Sequence, residues 1–177
     1  PLLCYNTGRL LDDARAACRE EGLPDADFII TGVGTGIFDR RQDRLVKEFS
    51  EILEEGWDRA RVEAVIRQLD LPVSRQPDHL QNRFKSSWFL ADADPKQLAL
   101  IEKRLAKAGL DVVVVYSSSL HLDILPRWAN KGNALRWLIR HLKIRPEHVL
   151  VAGDSGNDLA MLLVDRVKGS VVGNAQP

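Results

Sequence analysis

Residues 148–163 read HVLVAGDSGNDLAMLL, and few folds accommodate such a segment. Val149, Leu150, Val151 and Ala152 are apolar and uncharged, the pattern of a short strand buried on both faces of a parallel sheet. Gly153 then lets the backbone turn tightly. Asp154, Ser155, Asn157 and Asp158 place four oxygen-bearing side chains within five positions. Leu159, Met161, Leu162 and Leu163 follow as the apolar face of a helix. Open α/β sheets hold ligands at the C-terminal edge of their parallel strands. A hard cation such as Mg²⁺ takes one or two carboxylates, completed by waters and phosphate. A helix cap alone would need only one of the four polar residues.

The rest of the chain fits an α/β core. Residues 2–6 read as a buried strand, followed by Thr7, Gly8 and Arg9. A helix is expected over residues 10–21, with Leu11, Ala14, Ala17 and Cys18 at helical spacing and Gly22 as its stop. Phe28, Ile29 and Ile30 form the next strand. This strand–helix–strand order, with another strand ahead of Asp154, predicts a Rossmann-like parallel core. Residues 31–38, TGVGTGIF, fit neither the dinucleotide fingerprint nor the P-loop, so a hairpin is the better reading.

From residue 39 to about residue 68 the pattern is helical and charged, with a break at Gly56 and Trp57. A strand is expected over residues 83–90, with Phe84, Trp88 and Leu90 alternating. Pro95 opens a helix, and the acids of the preceding DAD string (Asp92, Asp94) are expected to cap it. Strands over residues 112–115 and 120–125 complete a small α+β unit. The expected organisation is a core of residues 1–38 and 128–177 with a cap of residues 39–127 inserted into it. The chain starts and stops inside strand-like runs, so it reads as truncated at both ends.

Lys131 stands at the start of a helix whose apolar face is Ala134, Leu135, Leu138, Ile139 and Leu142. A lysine in a first helical turn opposes the helix dipole. An anion held nearby, such as a phosphate at the helix N-terminus, would explain it.

The chain has 177 residues and a formal net charge of zero, which suggests no nucleic-acid or membrane-surface partner. Cys4 and Cys18 have neither metal nor redox spacing and read as reduced packing residues of a cytoplasmic protein. No segment is apolar and long enough to cross a membrane. Trp137 is expected in packing, and no role is expected for His79, His121, His141 or His148.

Thr7 in NTGR, Lys131 in NKGNAL and Asp154 in GDSGND come in the order hydroxyl, lysine, acid. This order and these motifs resemble the haloacid dehalogenase superfamily of phosphotransferases, in the branch with a large α+β cap. TGR, GVGTGIF, FKSSWF, YSSSLHLDILP, KGNAL and VVGNAQP together resemble the sucrose-6-phosphate phosphatases and the phosphatase-like C-terminal domains of sucrose-phosphate synthases. The largest departure from the resemblance is an absence: no DxDx(T/V) string, the family's source of the nucleophilic aspartate, occurs in the sequence. Gly36 also stands where related sequences often carry an acid.

The resemblance implies Mg²⁺-dependent hydrolysis of a sugar phosphate, sucrose 6-phosphate above all, through an aspartyl-phosphate whose nucleophile lies upstream of these residues. It implies that Thr7 and Lys131 grip the phosphoryl group with the backbone of Gly8 and Arg9, and that Asp154 holds the metal. Asp158 would orient Lys131 or bind a metal water, and Asn157 would fix the loop on the substrate side. Gln81, Lys85, Ser118 and Asp123 of the cap would line the sugar. The same likeness admits association with a synthase glycosyltransferase domain, a non-catalytic regulatory role, or another sugar phosphate such as that of trehalose or mannosylglycerate. These residues alone are expected to be inactive.

Overall fold

The structure is a computed structural model that describes residues 1–154 and 158–173. It divides into two compact units, residues 1–50 with 130–177 and residues 51–129.

In the first unit, β1 (Cys4–Asn6) leads through α1 (Leu11–Glu20) to β2 (Phe28–Thr31), which lies parallel to β1. A helical crossover is what parallel neighbours require. Asp12 and Asp13 in the first turn and Arg19 in the last complement the helix dipole. Then β3 (Gly36–Asp39) folds back antiparallel on β2, with Thr31 opposite Gly36, and β4 (Arg44–Leu45) pairs with β3. The hairpin expected at residues 31–38 is therefore present. Residues 39–45, expected to be helical, instead extend this meander. The Asp39 carboxylate accepts from the Arg41 and Gln42 N–H groups at 2.8 and 3.3 Å and turns the chain there. This meander keeps residues 39–50 in the first unit, so its boundary lies later than residue 38.

Helix α2 (Lys47–Glu54) runs through the boundary, and α3 (Arg59–Arg67) follows it. The break between them falls at Gly56 and Trp57, and the Asp58 side chain caps α3 by accepting from Arg61 N–H at 3.0 Å. The second unit adds β5 (Ser74–Arg75), β6 (Ser86–Phe89), α4 (Pro95–Lys107), β7 (Val112–Ser117) and β8 (His121–Pro126). Its sheet is antiparallel in the order β5-β6-β8-β7. Val62 and Ile66 of α3 and Ile101 and Leu105 of α4 bury against Trp88, Leu122 and Ile124 of the sheet. Strand β6 is shorter than expected because the Asn82 carboxamide accepts from Phe84 N–H at 2.8 Å, closing a turn before the strand begins. Asp94 caps α4 through a reciprocal capping box with Gln97, as the DAD string suggested.

The first unit resumes with α5 (Lys131–His141), β9 (Leu150–Gly153), α6 (Leu159–Leu162) and β10 (Lys168–Val171). β9 and β10 are parallel neighbours. Phe49 meets Trp137 of α5, with ring centroids 5.4 Å apart, which confirms Trp137 as a packing residue. No helix among the described residues is long and apolar enough to cross a membrane.

Candidate active site

Three chain segments meet in the first unit around Lys131. Asn130 caps α5, its side chain accepting from Asn133 N–H at 2.8 Å, so Lys131 becomes the first helical residue. The Lys131 ammonium donates to Oδ1 of Asp158 at 2.6 Å, and the two side chains are only 7% and 5% exposed. Oδ2 of Asp158 accepts from Asp154 N–H at 3.0 Å. Asp158 thus holds Lys131 with one oxygen and the acidic loop with the other. This carboxylate offsets the unfavourable placement of a buried cation at a helix start.

Small residues allow the close approach. A Cβ on Gly132 would collide with the Ala160 carbonyl of α6, and one on Gly153 would lie 2.6 Å from Asp158 Cβ. The end of β1 is tied in by Asn6, whose carboxamide donates to the Lys131 carbonyl at 3.1 Å and to Met161 Sδ at 3.3 Å. In the sequence Asn6 reads only as the last residue of a strand. Its polarity at the end of an apolar run was the available signal.

Thr7 follows directly. Its hydroxyl oxygen accepts from Arg9 N–H at 3.1 Å, which leaves the hydroxyl proton to donate outward. The Arg9 backbone N–H, expected to face an anion with Gly8, is thus already taken by Thr7. Asp154 is exposed at the end of β9. One exposed carboxylate at a strand end suits a cation that takes one or two protein carboxylates. Among the described residues no cluster of three or more metal-binding side chains is present. Ser155 and Asn157 lie outside the described residues.

Among the described residues, strands β1 and β9 are each paired on one edge, with β2 and β10 respectively. Their other edges border a slot of about 690 Å³ whose walls include Leu3, Tyr5, Ala17, Leu135, Leu138 and Val151. The strands run in the same direction, because the C-terminal ends of both reach the Lys131–Asp158 pair. Leu150 of β9 is 73% exposed. Burial pushes the Cys4 thiol up to about 12, so it is no nucleophile at neutral pH. Both cysteines are free thiols.

The polar residues expected to line a sugar lie in the second unit. Lys85 and Asp123 are buried, with Lys85 Nζ 3.3 Å from Asp123 Oδ1. Ser87, absent from the expected set, donates to the same Asp123 oxygen at 2.6 Å. Ser87 and Asp123 are cross-strand partners, a register that only strand pairing reveals. Gln81 has a different occupation. Its amide nitrogen donates to the Gln76 and Ser87 carbonyls, both at 2.9 Å, and its oxygen accepts from Ser87 N–H at 2.8 Å. Both of its donors are used inside the unit, which leaves a ligand only a lone pair on Oε1. Ser118 is not brought to this cluster. It sits in the β7–β8 turn with φ of 53°, three positions beyond the residue that pairs with Asp123.

Comparison with known proteins adds to this geometry. The profile of the sucrose-6F-phosphate phosphohydrolase family matches residues 1–177. A mannosylfructose-phosphate phosphatase from Agrobacterium fabrum is 42% identical over 177 residues, covering all of this chain and 71% of the relative. The structure of the sucrose-phosphatase from Synechocystis, in complex with sucrose and phosphate, superimposes with a TM-score of 0.89 at 34% identity, covering 99% of this chain and 71% of that one. A haloacid dehalogenase-like hydrolase from Bacillus subtilis gives a TM-score of 0.68 at 19% identity over 99% of this chain and 68% of its own, a likeness of fold alone. The chain spans 42% of the length of sucrose-phosphatase 1 from tobacco, to which it is 32% identical.

Proposed function

Because the chain belongs to the sucrose-6F-phosphate phosphohydrolase family, we propose that it carries the phosphoryl-binding part of an Mg²⁺-dependent phosphatase acting on a fructose-containing disaccharide phosphate, sucrose 6-phosphate first among them. Members of this family are phosphoric monoester hydrolases, and the haloacid dehalogenase-like α/β core with its α+β unit is the fold expected for them.

The observation that carries this reading is the buried Lys131–Asp158 pair at the start of α5, beside the Thr7 loop. Phosphoryl transfer is driven by positioning and charge stabilisation. Lys131 would neutralise charge on the phosphoryl oxygens, held in place by Asp158. Thr7 would donate its hydroxyl proton, and Gly8 its N–H, to the same oxygens. Asp154 would hold Mg²⁺, whose chemistry is to neutralise the transferring group. Asn157 would steady that loop.

The attacking carboxylate of the family's DxDx(T/V) motif has no counterpart in this sequence. A strand of five to six residues is about 17–20 Å long. Neighbouring strands stand ~4.8 Å apart and packed layers ~10 Å. One strand therefore occupies roughly 800–950 Å³. The slot between β1 and β9, at about 690 Å³, falls short of that envelope but is of the same order. It supports a reading in which one further parallel strand completes the sheet and brings the nucleophile to the end where Lys131 lies.

The unit of residues 51–129 would act as the cap that selects the sugar, with Lys85 and Asp123 as its polar contacts and Ser118 and Gln81 in lesser roles. The 42% identity to a mannosylfructose-phosphate phosphatase favours a second substrate, mannosylfructose phosphate. Both sugars contain fructose, so discrimination would fall on the other ring. The test is phosphate release from sucrose 6-phosphate, mannosylfructose phosphate and trehalose 6-phosphate, by this chain alone and joined to a DxDx(T/V)-bearing strand. The reading expects Mg²⁺-dependent release from a fructose-containing substrate only when the strand is present. Equal release from trehalose 6-phosphate, or turnover by the 177 residues alone, contradicts it.

A further inference from the structure

The TGVGTG segment has so far been only a hairpin. A two-residue hairpin turn uses at most two residues with positive φ. Here Gly32, Val33 and Gly34 all have positive φ, of 59°, 62° and 89°. For Val33, a β-branched residue, this is a strained conformation. We infer that this hairpin loop is a positioning clamp for the phosphate-facing segments, with Thr31 as its anchoring side chain.

Several contacts of the loop go to those segments. Val33 N–H donates to the Thr7 carbonyl at 3.2 Å, and Gly32 N–H donates to the Arg9 carbonyl at 2.8 Å. The Thr31 hydroxyl donates to the same Arg9 carbonyl at 2.6 Å, and Thr31 is buried. Gly34 lies against the backbone of Asn130, the cap of α5, so closely that a Cβ would overlap it.

The consequence follows from peptide planarity. In a trans peptide the C=O and the next N–H point in opposite directions. Turning the Thr7 carbonyl into the hairpin turns the Gly8 N–H away from it. Two carbonyls that would repel an anion are thereby occupied, and one N–H that would attract it is aimed outward. Pressing on Asn130, the same loop fixes where α5 begins and hence where Lys131 stands. Thr31, Val33 and Gly34 touch no substrate in this account; they act through Thr7, Gly8 and Lys131.

Resting on the phosphate-binding reading, the test uses the full 177-residue chain and inorganic phosphate, followed by amide NMR. Unaltered protein should show phosphate-dependent shifts at Thr7, Gly8 and Lys131. Thr31→Val, which keeps the shape but removes the donor, should weaken phosphate about five- to tenfold and blunt the Gly8 response. Thr31→Ser restores the hydroxyl and should restore most of the affinity. A Thr31→Val protein that melts lower yet binds phosphate as tightly as the parent overturns the clamp and leaves the phosphate site standing. Absence of shifts in the unaltered protein overturns the phosphate reading itself. Should Thr31→Val fail to fold, hydrogen exchange at the Gly32 and Val33 amides of the unaltered protein decides. Slowing by phosphate supports the clamp, and unchanged exchange contradicts it.

Discussion

Lys131 Nζ lies 2.6 Å from Asp158 Oδ1, and both side chains are nearly excluded from solvent. A buried ion pair of this kind contributes little net stability when intact, but removing one partner strands the other charge. Lys131→Met and Asp158→Asn should each cost about 3–5 kcal/mol in unfolding free energy. The double variant should cost much less than the sum. Urea unfolding of the four proteins in a double-mutant cycle checks this. Additive losses would mean that the pair is not coupled.

Gly132 has its own consequence. A methyl group there meets the Ala160 carbonyl, so α5 and α6 must separate. Gly132→Ala should destabilise by about 1–3 kcal/mol, despite the better helix propensity of alanine. Thermal unfolding distinguishes the two effects, because a gain in stability would show that α6 yields freely.

Stability in acid should depend on Glu63. Burial alone would raise its carboxyl, but hydrogen bonds and charge from Arg59 and Arg75 outweigh burial and hold it below the usual carboxylate range. Arg59 lies at 3.0 Å, Arg67 at 2.7 Å and Arg75 at 3.4 Å. A carboxyl depressed in the folded state binds its proton more readily when unfolded. Its contribution is therefore complete above the unfolded value, ~4.3, and is lost as the pH falls through the folded value. Glu63→Gln should lower stability at pH 7 by about 1–3 kcal/mol and flatten the loss of stability in acid. Urea midpoints measured from pH 7 down to 3 check the slope. Parallel profiles for parent and variant would contradict the assignment.

Much of the candidate site's local structure was legible because it rests on local chemistry. Asp154 follows an apolar run, Lys131 follows an N-cap asparagine, and Asp94 precedes a proline at the first helical position. Each of these signals lies within a few residues of the feature it predicts. The features that escaped depend on residues distant in sequence. Gln81 reads as a free polar side chain until the Gln76 carbonyl and the Ser87 carbonyl of β6 take its two donors. The Ser87–Asp123 bond spans two strands, and the bonds of Asn6 to Lys131 of α5 and Met161 of α6 join positions more than a hundred apart. Residues 39–45 carry a helical charge pattern, but pairing with β3 overrode it, a tertiary context that propensity cannot anticipate. The boundary of the first unit moved for the same reason.

The most direct measurement is titration of sucrose 6-phosphate, with Mg²⁺ present, into the isotope-labelled chain and its Lys131→Met variant. The account predicts saturable amide shifts centred on Thr7, Gly8 and Lys131, with affinity lost in Lys131→Met while the fold is retained. Binding that leaves those amides unmoved, or that survives intact in Lys131→Met, would contradict it.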